Sequence, residues 1–195
     1  MEALGNNGTT GSITICRVST RDELLMIREL QEANLGKNIS AEDRDKEGFV
    51  TAEYSVEFLE LMDQYSHSII AKNSEGVVIG YALVATRDIY GHHDLLTNLF
   101  DEVFPLSYHG KTLRDANFVL VGQLCVAMGY RGLGLVQRMY AFYQSELKAE
   151  GYECAVTDVA ESNPRSLKAH KKSGFDTLAT FAYEGAVWHI VCLDF

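Results

Sequence analysis

The chain has 195 residues and a mass of 21.7 kDa, 47% of it hydrophobic and 23% charged, enough to bury the core of one domain. Its 17 basic and 27 acidic residues leave a net charge of −10, which excludes a phosphate-backbone binder and an anionic membrane surface as partners. Two prolines and 10% aromatic residues argue against disorder, and no apolar run approaches the roughly 20 residues that span a bilayer.

Residues 1–12, rich in Gly, Asn and Thr, read as a mobile tail with neither the basic start nor the apolar stretch of a signal peptide; a cytoplasmic location is expected. One uninterrupted domain is expected over 13–195. It opens with a strand at Ile13–Val18, followed by a helix in which Thr20 and Glu23 have capping-box spacing. Residues 36–48 are polar and acidic and read as a loop. A second helix follows Ser55 with Val56, Phe58, Leu59 and Met62. Two β-branched runs, Ser68–Ala71 and Val77–Ala85, flank Asn73-Ser74-Glu75-Gly76 as a hairpin. A short helix over Asp94–Phe104 and a polar stretch through His109 and Lys111 come next.

Phe118–Ala127 is almost wholly apolar, the pattern of a strand covered on both faces. It breaks at Met128-Gly129-Tyr130 into a helix predicted from Gly132 to Ala149, with Leu133, Val136, Tyr140, Tyr143 and Leu147 on one face. A strand over Glu153–Ala160 leads to Asn163-Pro164, an N-cap acceptor followed by proline at the first helical position. Lys171, Lys172 and Gly174 close that helix, and strands Phe175–Tyr183 and Ala186–Leu193 turn at Glu184-Gly185. The order β-α-α-β-β-(α)-β-α-β-α-β-β implies an α/β chain with a mixed sheet and helices on both faces. Cys16, Cys125, Cys154 and Cys192 are widely spaced in apolar runs, the signature of reduced buried thiols.

Chemistry concentrates at two strand-to-helix junctions. In Val126-Ala-Met-Gly-Tyr-Arg-Gly-Leu-Gly-Leu-Val136, a turn holding Gly129, Gly132 and Gly134 delivers the chain to a helix N-terminus whose first amides lack intrahelical partners. Such a turn admits a phosphate, and Arg131 adds charge; an ordinary glycine-rich turn fits the spacing equally. From Arg131 to Lys172 there are 7 basic and 5 acidic residues, a segment of +2 in a remainder of −12. It suits a discrete polyanionic ligand. No Gly-Lys-Ser/Thr follows the glycines, which excludes a Walker loop, and a dinucleotide fingerprint is lacking.

These residues resemble the GNAT superfamily of acyl-CoA-dependent N-acyltransferases. Arg131 and Gly134 match its motif A, Arg/Gln-x-x-Gly-x-Gly/Ala, although Val136 stands where a small residue is usual. Asn163, Ser166 and Gly174-Phe175 match motif B. The resemblance implies a mostly antiparallel twisted sheet with one parallel pair splayed at a cofactor cleft. It also implies acetyl-CoA as co-substrate, with the backbone of Leu124, Cys125 and Val126 meeting the pantetheine arm and thioester carbonyl. The amides of Arg131, Gly132, Leu133, Gly134, Leu135 and Val136 would hold the pyrophosphate, and Asn163 and Ser166 the cofactor arm. Backbone donors aimed at a developing oxyanion are a strong term in acyl transfer.

Two positions depart from the family. His170 replaces a frequent tyrosine that protonates the leaving thiolate, and an imidazole of ordinary pKa could take that role as general acid. Gln123 replaces a frequent strand glutamate and cannot act as a base. Asp158, Glu161, His92, His93, Tyr108 and His109 are candidate replacements. No third ligand accompanies His92-His93, so no metal is expected, and Cys125 in an apolar strand is read as packing.

The expected activity is direct acetyl transfer from acetyl-CoA to a primary amine on a small molecule or peptide. The acidic surface points to a cationic acceptor such as a polyamine, a basic peptide terminus or an aminoglycoside. The competing expectation is a non-enzymatic acyl-CoA-binding module, kept open by Gln123, His170 and Val136. Oligomeric state is open, a homodimer being one arrangement.

Overall fold

The computed structural model describes residues 11–40, 42 and 48–195. The expected tail over 1–12 and loop over 36–48 therefore fall partly outside the described residues. Among the described residues, nine strands and five main helices follow in chain order: β1 (Thr14–Arg17), α1 (Arg21–Asn34), α2 (Val56–Tyr65), β2 (Ile69–Lys72), β3 (Val78–Ala85), α3 (Asp94–Val103), β4 (Ser107–Tyr108), β5 (Lys111–Thr112), β6 (Phe118–Val126), α4 (Leu135–Ala149), β7 (Cys154–Ala160), α5 (Pro164–Lys172), β8 (Asp176–Tyr183) and β9 (Ala186–Asp194).

Local chemistry places the elements. Thr20 Oγ1 accepts from the Glu23 amide, and Glu23 Oε2 accepts from the amides of Thr20 and Ser19, closing the capping box. Such caps contribute about 1 kcal/mol. Glu23 Oε1 also takes the Lys72 ammonium at 2.6 Å, tying α1 to β2. In the β2–β3 hairpin, Asn73 Oδ1 accepts from the amides of Glu75 and Val77.

Seven strands form one sheet in the order β1-β2-β3-β6-β7-β9-β8, antiparallel except for β6 and β7. Residues of α1, α2 and α3 fill a core against one face, including Ile27, Leu59, Met62 and Phe100. Those of α4 and α5, including Leu135, Met139, Tyr140 and Tyr143, fill a core against the other.

The parallel pair is short. Phe118, Val119 and Leu120 align with Cys154, Ala155 and Val156, and the pairing then ends. On its other side β6 stays paired to β3 through Val126, but with a register shift in which Gly122 and Gln123 together oppose Leu83. That two-against-one count is a bulge, which bends the strand that carries it. β6 thus leaves β7, and the residues after Leu120 have no strand partner on that side.

Two expectations need correction. The helix predicted from Gly132 begins at Leu135, because Gly132 and Gly134 adopt φ of +78° and +73°, the left-handed region that interrupts a right-handed helix. Leu133 is consequently exposed, and the buried stripe is Leu135, Met139, Tyr140, Tyr143 and Leu147. The polar stretch after α3 contains the small hairpin of β4 and β5, whose two-residue strands carry too little pattern to be read from sequence.

Candidate active site

Where β6 and β7 part, two cavities meet. The larger, about 600 Å³, runs from the end of β6 along the N-termini of α4 and α5. The smaller, about 160 Å³, lies between the 49–54 segment, α3, β7 and the β8–β9 hairpin. Phe49, Val50, Leu124, Asn163 and Ser166 line both and mark the junction.

The larger cavity is built for an anion. Gly134 is the N-cap of α4 and offers no side-chain acceptor; the first intrahelical bond runs from the Arg138 amide to Gly134 O. The amides of Leu135, Val136 and Gln137 precede that bond at the positive end of the helix dipole. A Cβ on Gly132 would meet nothing within 4 Å, so this turn is open on its outer side. Arg131, Arg165, Lys168 and Lys172 line the cavity with no Asp or Glu beside them among the described residues. A coenzyme with a pyrophosphate and a long arm fits this donor set.

Individual residues take different parts than their spacing suggested. The Arg131 amide bonds Met128 O inside a tight turn, which removes it from the donors expected for a phosphate. Its guanidinium bonds Val126 O at 2.9 Å and Asn34 Oδ1 at 2.6 Å, fixing the end of β6 to α1. Leu135 is buried, so only its backbone can serve a ligand, whereas Leu133 is exposed. Asn163 caps α5 by accepting from the Ser166 amide and donates to Phe49 O at 3.3 Å, so it holds the segment between the two cavities. The Cys125 thiol is pushed up to about 12 by burial, which fits packing and not nucleophilic attack.

His170 is almost fully buried. Its Nδ1 lies 2.9 Å from Ser166 O, a carbonyl that only accepts, so Nδ1 carries the proton. Its Nε2 therefore accepts from the Tyr140 hydroxyl at 2.7 Å. Desolvation lowers its pKa to about 4. The acid role expected of His170 does not fit this geometry: the ring is neutral and both nitrogens are committed within the protein.

Gln123 holds a network. Its Oε1 accepts from Gln31 Nε2 at 2.9 Å and from the Tyr81 hydroxyl at 2.6 Å, and its Nε2 donates to Ala52 O at 2.8 Å. Gln31 Oε1 accepts from the Tyr54 amide, and the Tyr54 hydroxyl donates to Gly122 O at the bulge. Sequence reasoning missed Gln31 and Tyr54; no local pattern marks them, since their partners are distant in the chain.

Of the candidate bases, Asp158 lines the smaller cavity. Its carboxyl is raised to about 6 by burial, against a hydrogen bond from its own backbone amide. Glu161 is exposed, 3.7 Å from His189 Nε2. His93 is wedged between the rings of Tyr54 and Phe58, and His92 is exposed. Tyr108 bonds Glu153 O and His109 faces Asp194, both away from the cavities. Among the described residues there is no cluster of three or more His, Cys, Asp or Glu able to hold a metal, and no helix long and apolar enough to cross a membrane.

Residues 27–175 match the family described as the Acetyltransferase (GNAT) family. The chain belongs to that family. GNAT architecture is also the fold of its structural neighbours. The NatC complex bound to Gag peptide and CoA contains a chain similar to this one at 13% identity and a TM-score of 0.64, over 94% of this chain and 99% of that one. An N-acetyltransferase from Staphylococcus aureus Mu50 matches at 15% identity and 0.63, over 94% and 99%. The yncA protein of Salmonella typhimurium, solved with its cofactor acetyl-CoA, matches at 16% and 0.61, over 94% of each chain. At these identities the likeness is one of fold. No curated protein matches by sequence. This GNAT chain is thus an acetyltransferase whose acceptor must be read from its own cavity.

Proposed function

We propose that this GNAT enzyme transfers an acetyl group directly from acetyl-CoA to a primary amine, with Asp158 as the base. The supporting observation is the meeting of a cationic cleft and a separate cavity carrying Asp158 at Leu124, on the edge of β6 that has no β7 partner beyond Leu120.

Acetyl-CoA supplies the thioester: as the amine nitrogen bonds to the carbonyl carbon the C–S bond breaks, the surplus amine proton goes to a base and sulfur leaves as thiolate. The chain's residues do the rest. The amides at the start of α4, with Gly132 and Gly134, hold the pyrophosphate, and the backbone of Leu124–Val126 pairs with the arm on the side that β7 vacates. Asn163 keeps Phe49 at the junction, so both substrates approach one point, which supplies the proximity term. With its carboxyl at about 6, Asp158 is ionised at neutral pH yet basic enough to accept a proton.

The test is isothermal titration with acetyl-CoA, followed by free-thiol release over a panel of primary amines. Thiol release that depends on amine supports the enzyme. One observation favours a second reading, an acyl-CoA-binding module: Gln123 and His170 are both committed to internal hydrogen bonds. Tight acetyl-CoA binding with thiol release no faster than hydrolysis across the panel would establish that reading instead.

A further inference from the structure

Resting on the reading above, we propose that the acceptor is an amine carried by a single ring-sized apolar group, with no carboxylate beside the nitrogen.

Three features of the smaller cavity support this. Its volume of about 160 Å³ is close to that of an engineered apolar cavity of about 150 Å³ that takes up benzene. Its walls are mostly apolar, with Val50, Leu95, Leu99, Phe181 and Trp188 among the residues that line it. At the rim, Asn98 Nδ2 lies 3.3 Å from the Tyr183 hydroxyl, joining α3 to β8 where both line the cavity.

The charges point the same way. Asp158 and Glu184 are the acidic residues of the lining, His170 is neutral, and no Lys or Arg lines it among the described residues. Among the described residues, the lining cations stand in the neighbouring cleft. An ammonium entering the smaller cavity meets Asp158. A carboxylate on the same carbon would sit near Asp158, shed its water and find no cation. Among the described lining residues a polyamine could pair a second ammonium only with Glu184, exposed on the β8–β9 hairpin, and an aminoglycoside would bury many hydroxyls against the apolar walls. An aminoglycoside is therefore disfavoured by the cavity itself, and a polyamine fits it less well than an amine on one apolar ring.

The required chemistry occurs in free arylalkylamines and in peptide N-termini that begin with an apolar residue. The experiment separates these sources and does not depend on turnover. Phenethylamine, phenylalaninamide, a tetrapeptide beginning with phenylalanine, phenylalanine and spermidine are titrated into the free and the CoA-loaded protein by calorimetry. The first two should bind at least about 30-fold more tightly than phenylalanine and spermidine. The tetrapeptide matching phenylalaninamide identifies a peptide terminus; its failure to bind identifies a free amine. Leu95→Trp, which fills the cavity, should weaken phenethylamine at least about tenfold and leave CoA affinity unchanged. Should that variant lose CoA affinity, Leu95→Ala is measured instead, with hexylamine gaining on phenethylamine. Equal affinity for phenylalanine or spermidine, no binding by any amine, or an affinity order unmoved by either variant overturns the proposal. Binding in the expected order without thiol release would overturn the enzymatic reading alone.

Discussion

The Tyr140 hydroxyl donates to His170 Nε2 across 2.7 Å inside the core between α4 and α5. Because Ser166 O fixes the proton on Nδ1, this bond orders the ring as one tautomer and closes it against solvent. Phe175 packs against both rings, with centroids 4.7 Å from Tyr140 and 5.0 Å from His170. The side chain at position 170 thus joins two helices of this chain.

Replacing His170 with Phe should therefore damage stability before chemistry. The single variant leaves the Tyr140 hydroxyl buried without an acceptor, at a cost of about 1–3 kcal/mol. Tyr140→Phe/His170→Phe should recover part of that loss, measured by urea unfolding. Turnover per folded molecule should fall less than about threefold; a drop of about 100-fold at unchanged acetyl-CoA affinity would restore the acid role.

The same burial sets a pH dependence. With a folded pKa of about 4 against 6.5 unfolded, the unfolded state binds more protons between these values. Stability from this group is complete above about pH 6.5 and is lost as pH falls toward 4, amounting to roughly 3 kcal/mol. Asp158 acts in the opposite sense between 3.8 and about 6, so the measurement belongs in an Asp158→Asn background. Thermal denaturation from pH 7.5 to 4.5, with and without His170→Phe, should show a larger acid loss where His170 is present; His93, whose pKa burial also lowers, contributes equally to both.

Two helix starts were legible because their demands are local: Asn163-Pro164 announces a capped first turn, and Thr20 and Glu23 satisfy one another within four residues. The start of α4 was read too early, at Gly132, because glycine spacing does not show which backbone conformation the turn adopts. The Nε2 of His170 is taken by Tyr140, thirty positions away, and Gln123 is committed to Gln31 and Ala52. Burial of these groups is a tertiary fact that hydrophobic periodicity does not encode. The smaller cavity was least legible: its walls come from 49–54, α3, β7 and the β8–β9 hairpin, segments distant in the chain.

Gly134 tests the anion site. Gly134→Asp places a carboxylate at the start of α4, where the phosphates are expected, and should weaken acetyl-CoA at least about 100-fold by calorimetry. Gly134→Asn also tolerates a φ of +73° but carries no charge, and should retain most of the affinity. Equal losses would mean that backbone strain, not repulsion, explains the effect.

Restoring the family's glutamate at position 123 should not help. In Gln123→Glu the donor to Ala52 O is lost, and a carboxylate faces that carbonyl in a buried site; Gln31 and Tyr81 would still donate to it. A destabilisation of about 2–3 kcal/mol is expected by urea titration, with no gain in turnover at pH 8. A faster variant would show that the side chain reaches the acceptor amine despite its present bonds.

Asp158→Asn sets activity against stability. Ionised Asp158 is held at a cost, because burial raises its pKa from 3.8 to about 6. Between those values the folded state binds the extra proton, so this group's contribution to stability falls as pH rises and is least above about 6. Removing the charge at pH 7.5 relieves about 3 kcal/mol, offset in part by burying an amide, so the melting temperature should hold or rise. Meanwhile kcat/KM should drop by about 100-fold or more, with acetyl-CoA affinity preserved. The wild-type profile should fall below an apparent pKa near 6 with unit slope, and the variant's should be flat there. A residual rate in Asp158→Asn that still titrates near 6 would assign the base to another group.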